Sequence, residues 1–502
     1  MPRNDSIPDF TPTDNHFSIV KQMREMIDGR AGAEASFEER QRVARVLAHE
    51  LLWLEEEEEL LALVTTTEKV EIAGRTYRRL DQASSSPLKG LVGTHIIEEA
   101  LYRDIGIRNG PTIKPIELRV GAVTRTMLPD LARIAGLLHG YISSREVKRV
   151  LVEMGFAPPS RAFLDGHLRD MSIEIADQVE ALEQAAREVE AERDEPGVAS
   201  VSCGLDRMAV QMDEQLSPER AAAKKDLQQH RAHKIYKRSP PPPAEYNWRM
   251  MWVGSMTSYD AEGKVLQARR YALEALGDPM NLVRRVVADV KSMTDRHPGI
   301  PVVCVQDGAK EMGQLPAALH RDLAGRDLTG LTDELLNIAV NDGVYERTDF
   351  HHLLGYLDAV VAACEPNGDP HQMRKWYRDE LRSADDAIDR IYRAFGRRRA
   401  QLCDDATTAD AVALDKALSY IKKRRPTMRY ATLRAHHLTI GSGATESTCA
   451  LMQLRTKRPG MAWEIPGLRG VIAIRALVLS DRWPAAWAAY RAAARTEICC
   501  AA

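Results

Sequence analysis

The chain has 502 residues, 44% hydrophobic and 28% charged, enough apolar content for several cores and for two or three domains rather than one. A formal net charge of −3 and a pI near 6.6 argue against a chain coated all over in nucleic acid, although segregated charge can confine a phosphate-binding field to one face. No stretch reaches the roughly 20 uninterrupted apolar residues of a membrane span. Even Gly470–Ser480 carries Arg475, and the polar start MPRNDSIPDF has no apolar signal core, so a cytoplasmic protein with no membrane partner is expected. Seven scattered cysteines with no C-x-x-C spacing predict reduced thiols and no structural zinc.

Residues 1–15 read as disordered, within an N-terminal helical region spanning 1–68. From Phe17 to Val64 the spacing of Val20, Met23, Met26, Val43, Val46, Leu47, Leu51 and Leu54 predicts a helical hairpin, with Glu55–Glu59 as a solvated helix face. Residues 69–125 change to short β-prone pieces, VEIAG, TYRRL, LVGTHII and EALYR, broken by Gly and Pro, which predict a small β module. Residues 126–196 return to helices: LARIAGLLHG, SSREVKRVLVEMG with a Ser143/Glu146 capping box, and SRAFLDGHLRDM capped by Ser160. The short turns suit a helix-turn-helix that places one helix in a DNA major groove, and equally a three-helix packing without a DNA role. Ile173–Asp194 reads as an amphipathic connector or dimer strut ending at Glu195-Pro196-Gly197.

The segment 197–365 alternates differently. VASVSCGLD reads as a buried strand. Arg220–Arg238 with the prolines 240–243 reads as a linker, and WRMMWVGSMTSYD with KVLQARRYA as an antiparallel hairpin. A helix from Pro279 to Asp295, the strand IPVVCVQDGA, a helix at Leu315–Leu323 and VYERTDFHHLLGYLDAVVAAC follow. Residues 366–435 form a charged helical insertion, and 436–502 hold a last core helix, opening at Gly441-Ser442-Gly443, and the C-terminal helices. The predicted fold class is therefore α/β: a mixed sheet of three antiparallel strands with parallel additions, the ribonuclease H-like arrangement, carrying a helical insertion.

Cutting or joining DNA with divalent metal requires carboxylates converging on one point. Asp206 follows the apolar run VASVSCGL, Asp307 ends the buried strand PVVCVQ, and Glu446 opens a late helix; they are separated by 101 and 139 residues. Each has another explanation. Asp307-Gly308 is a common turn dipeptide, Glu446 suits a helix dipole, Asp206 could simply leave its strand, and Asp260 at the hairpin tip is a rival better explained by turn chemistry. Nine Lys/Arg against one acid between Ile421 and Arg458 make the basic segment, in which Lys422, Lys423, Arg424 and Arg425 are expected to meet DNA backbone.

The segments SCGLDRMAV, WVGSMTSYDAEGKVLQARRY, VVCVQDGAKEM, TDFHHLLGYL, GSGATESTCALMQLRTKRPGMAW and IAIRALVLSDRW resemble the ISKra-type transposases of bacterial insertion sequences, over most of residues 70–490. The resemblance implies a DDE catalytic site on Asp206, Asp307 and Glu446, which would hold two Mg²⁺ or Mn²⁺ ions. It places Arg455 and Lys457 after the glutamate, where they would hold phosphates, and puts Asp349, His351 and His352 at a D-F-H-type motif with an accessory or packed role. Relatives of this kind often carry paired cysteines in the β module; Tyr102–Ile116 has none. The implied partners are double-stranded DNA, as element ends and target, and further copies of the chain on that DNA, so that the cytoplasmic protein joins the bacterial nucleoid when bound. A non-cutting, domesticated DNA-binding protein and a ribonuclease H-like nuclease without strand transfer are the alternatives.

Overall fold

The structure, a computed structural model, describes residues 14–32, 34–193, 197–213, 247–338, 342–364, 369–402, 408–494 and 498–500. The linker read at Arg220–Arg238 and its proline run lie outside them, as do residues 1–13 of the stretch read as disordered and the helix end at Asp194–Pro196. Two compact units result, Met1–Met171 with Arg491–Ala502, and Ser172–Tyr490.

In the first unit the helices Asp14–Ala31 and Phe37–Ala62 form the expected hairpin, the second started by a capping box between Ser36 and Glu39. The glutamate run is only partly solvated. Glu56 Oε2 lies 3.0 Å from Nε2 of the fully buried His95, whose ring stacks on Trp53. Strands β1 (Lys69–Ile72), β2 (Arg75–Lys89), β3 (Thr94–Asp104) and β4 (Thr112–Ile113) form an antiparallel sheet, with Ile498–Cys500 added beside β1. LVGTHII, read as one strand piece, is divided: Gly90 N–H bonds to Gly93 O and Gly93 adopts φ 152°, so LVG makes the β2–β3 turn and β3 starts at Thr94. Leu60, Leu88, Ile97, Ile116 and Leu128 pack as one of the unit's clusters. Three helices follow at Pro129–His139, Ser144–Glu153, with the Ser143/Glu146 capping box in place, and Arg161–Asp177. The connector expected from Ile173 starts later, at Val179–Ala191, because Gln178 leaves helical geometry.

The second unit is a mixed five-stranded sheet. It comprises β5 (Ser200–Met212), β6 (Asn247–Tyr259), β7 (Val265–Leu273), β8 (Val302–Gln306) and β9 (Val344–Thr348), in the order β7-β6-β5-β8-β9. The first three are antiparallel, and β8 and β9 join parallel to β5. Both faces are covered, as their near-continuous apolar runs require. On one face Val201, Cys203 and Leu205 of β5 pack with the helix Pro279–Arg296. On the other, Met208 and Val210 pack with Cys449 and Met452 of the helix Gly443–Thr456 and with Leu468 and Ile472 of Ile465–Leu479. With a side-chain period of two, Asp206 shares the second face.

A buried ion-pair network ties this unit together. Asp289 accepts from both Arg482 terminal nitrogens at 2.8 and 2.6 Å, and Arg482 Nη2 also pairs with Glu190 Oε2 at 2.9 Å. The insertion expected at 366–435 is the helices Pro370–Ser383, Ala387–Gln401 and Ala409–Arg424, which share a core with Phe350–Cys364. Among the described residues no helix is long and apolar enough to cross a membrane.

Candidate active site

The site grows out of strand register. The parallel pairs Cys203↔Cys304 and Gln306↔Thr348 place Asp206, Asp307 and Asp349 at one level, at the carboxyl ends of β8 and β9 and partway along β5. Asp260 belongs to the opposite end. The pairing Ser200↔Tyr259 returns it to the start of β5, six residues or about 20 Å from the level of Asp206 at the rise of an extended strand. Its Oδ1 accepts the N–H groups of Glu262 and Lys264, so Asp260 closes the hairpin turn.

Asp206 does not leave its strand: β5 runs on to Met212, pairing Asp206 with Val253. Half-buried, its carboxylate accepts the Arg207 N–H at 2.6 Å and the Cys449 thiol at 3.3 Å. Burial pushes its pKa up, outweighing those hydrogen bonds, and the charges of Asp307 and Glu446 raise it further, a sign that the three carboxylates share one neighbourhood. Burial, then Asp206, pushes the Cys449 thiol up as well.

Asp307 caps its own turn, Oδ1 accepting from Ala309 N at 2.8 Å, while Gly308 takes φ 86°. Two side chains of the helix Ala409–Arg424 hold this turn from outside. Tyr420 Oη donates to Asp307 O at 2.9 Å, and Arg424, stacked on the Tyr420 ring, donates Nε–H to Gly308 O at 3.0 Å.

Glu446 is exposed in the first turn of Gly443–Thr456. That helix comes close to the sheet because Gly204 has no side chain. A Cβ there would sit 2.6 Å from Thr445 Oγ1 and 2.7 Å from Val305 O. Thr445 Oγ1 in turn hydrogen-bonds Ser255 Oγ at 2.7 Å. Ser442 Oγ contacts Glu446 Oε1 at 2.7 Å and Asp349 Oδ2 at 2.5 Å. Asp349 is 1% exposed and caps Phe350–Cys364 through the N–H groups of His351 and His352, whose own side chains are exposed.

The basic residues divide. Lys422, Lys423 and Lys457 are exposed, and Lys423 lines an open cleft of about 880 Å³ with Asp307, His352, Tyr356, Lys416 and Tyr420. Arg424 is occupied by the Gly308 carbonyl, and Arg425 pairs with Asp389 at 3.0 Å. Arg455, expected at a phosphate, is 2% exposed and lies 5.1 Å over the Trp463 ring, packed against the indole. Sequence reading also missed Ser442, Cys449 and Gly204; only Gly204, a glycine inside a predicted strand, carried a signal of close approach.

The donor chemistry of Asp206, Asp307 and Glu446, all hard oxygens, fits Mg²⁺ or Mn²⁺. Among the described residues no three His, Cys, Asp or Glu side chains are already gathered at metal-binding distance, and Glu446 instead contacts Ser442. Fold and site together define a mixed α/β protein whose sheet carries Asp206, Asp307 and Asp349 at one level on adjacent parallel strands. No family model and no curated protein matches the chain. Among solved structures it is similar to a chain of the Drosophila P element transposase strand transfer complex, at 12% identity over 71% of this chain and 92% of that chain. The TM-score is 0.32, too low to carry an argument about fold or activity.

Proposed function

We propose that the second unit is a ribonuclease H-like core and the chain a DDE transposase of the ISKra type, cutting the ends of its own element and joining them to target DNA. The observation that carries this reading is the register that sets Asp206 and Asp307 level on adjacent parallel strands, with Glu446 on the helix packed over β5 and β6. The strand order β7-β6-β5-β8-β9, antiparallel for three strands and parallel for two, supports the core assignment. So does the helical insertion between Asp307 and Glu446.

In this reading Asp206, Asp307 and Glu446 hold the divalent cations, two per site. When bound, these supply Lewis acidity to the scissile phosphate and lower the pKa of the attacking water or 3′ hydroxyl. The protein's own contribution is placement. Asp206 is fixed by Arg207 N–H and the Cys449 thiol, and Asp307 by the Tyr420 and Arg424 clamp. The exposed Lys422, Lys423 and Lys457 neutralise DNA backbone without reading bases. The helices Pro129–His139, Ser144–Glu153 and Arg161–Asp177, with the β module, bind the element ends, and two or more copies bring two ends together.

The test is cleavage and strand transfer by purified protein on labelled element ends with Mg²⁺ or Mn²⁺. Asp206→Ala, Asp307→Ala and Glu446→Ala should each abolish both steps while end binding persists. Three active variants would refute the reading, and cleavage without strand transfer would leave a nuclease on the same core.

A further inference from the structure

We propose that Arg378, Arg382 and Arg434 form a phosphate-binding cluster that holds the backbone of DNA lying beside the carboxylate row. The inference rests on the reading of that row as the place where DNA is cut. Arg378 and Arg382 stand about one turn apart on the helix Pro370–Ser383, and Arg434 lies on the short helix Ala431–Ala435, which packs against it. Asp385 ties the second helix to the end of the first. Its Oδ1 accepts the Ala431 and Thr432 N–H groups at 2.8 and 3.4 Å, and its Oδ2 the Thr432 hydroxyl at 2.6 Å.

The three cations lack counterions. On the same helix Arg374 pairs with Asp358 at 2.5 Å, and Glu380 is taken by Arg390 at 2.5 Å. Among the described residues none of Arg378, Arg382 and Arg434 makes an ion pair, and the Nε atoms of Arg378 and Arg382 are enclosed without a hydrogen-bond partner. Burial, then the charges of Arg434 and Arg378, hold the Arg382 pKa below the usual arginine value, with the exposed Asp379 opposing them. Asp385 is spent on the helix start, and its charge acts on the buried Arg347. Like charges gathered in this way destabilise the free chain. A phosphate removes that cost, because its oxygens match the guanidinium fork in a bidentate geometry.

The cluster also stands in the right place. The guanidinium carbon of Arg382 lies 5.1 Å from the ring centroid of Phe350, the residue after Asp349, and Asp349 is level with Asp206 and Asp307. Two strand spacings separate Asp349 from Asp206, about 10 Å, which is the rise of about three phosphates along one strand of duplex DNA. Three guanidiniums spread over two helices match a run of phosphodiesters better than one small ion.

The test follows binding of a labelled DNA duplex of arbitrary sequence to the full chain, by fluorescence anisotropy across a KCl series without divalent metal. Arg378→Gln, Arg382→Gln and Arg434→Gln should each reduce the slope of log K against log salt by about 1. Arg374→Gln, which removes a paired cation from the same helix, should leave the slope unchanged. Melting temperatures should hold or rise for Arg378→Gln and Arg434→Gln, since each relieves repulsion. Arg382 also packs on Phe350, so the exposed Arg434 is the variant that tests the site without disturbing the fold. Slopes of wild-type size in Arg378→Gln and Arg434→Gln, or an equal loss in Arg374→Gln, overturn the inference while cutting of element ends still supports the functional reading. Inorganic phosphate that raises the melting temperature over chloride at equal ionic strength, an effect lost in Arg378→Gln with DNA slopes unchanged, overturns it in favour of a free-phosphate site. A chain that shows the expected slopes but never cuts element ends leaves the cluster standing and refutes the transposase reading.

Discussion

Gly308→Ala tests how Asp307 is held. With φ at 86°, Gly308 occupies the left-handed region, and a Cβ there would overlap Arg424 Nε and lie 2.7 Å from its Cδ. The backbone conformation alone costs an alanine about 1–2 kcal/mol. Arg424 must also leave, giving up its donation to Gly308 O. For a half-buried guanidinium that retains access to water this is worth about 1–2 kcal/mol, at the low end for a charged donor. Its stacking on Tyr420, with the guanidinium carbon 4.3 Å from the ring centroid, adds about 0.5–1 kcal/mol. The single substitution should therefore cost about 2.5–5 kcal/mol, but only about 1–2 kcal/mol in an Arg424→Ala background, where nothing remains to displace. Urea-dependent hydrogen exchange of peptides covering β8 and the Asp307 turn reads this locally. Costs that add to within about 0.5 kcal/mol in the double variant would show that Arg424 does not clamp the turn.

Asp289→Asn should destabilise the second unit by about 3–5 kcal/mol at neutral pH, because Arg482 and Arg187 would be left buried with less compensating charge. Burial raises the Asp289 pKa, but the Arg482 and Arg187 charges and the Tyr271 hydroxyl outweigh it, so the folded value lies below the ordinary one. Its stabilisation is thus full above about pH 4 and fades as pH falls through the depressed value, and the wild-type advantage should shrink only under acid. An advantage unchanged between neutral pH and pH 3 would refute the assignment. Lys457→Ala should lower the salt slope of DNA binding by about 1 and leave melting unchanged, whereas Arg455→Ala should lower the melting temperature and leave the slope alone. The opposite pattern would return Arg455 to the phosphate.

The sheet was legible because its strands are apolar runs punctuated by turn residues: PVVCVQ stops at Asp307-Gly308, and the β6–β7 hairpin turns at Asp260–Gly263. The same hairpin already holds the case against Asp260, since antiparallel pairing of two strands of equal length carries the tip of the second back to the start of the first. What stayed hidden depends on contacts across more than 90 residues, such as Ser442 with Asp349 and Cys449 with Asp206, which no local pattern announces.

Arg455 is a different case, because helix geometry alone separates its side chain from that of Glu446. At about 100° per residue, the nine steps from Glu446 to Arg455 bring the two side chains out on opposite sides of the helix. One of those sides is exposed at Glu446, and the other is buried at Arg455 against Trp463. Eleven steps return nearly to the starting direction. Lys457, just past the last turn, therefore lies on the glutamate's side, and its charge acts on Cys449 beside Asp206. Lys457 is thus the cation this helix presents on the side of the carboxylates. The guanidinium two residues earlier instead secures the helix against the indole that follows it.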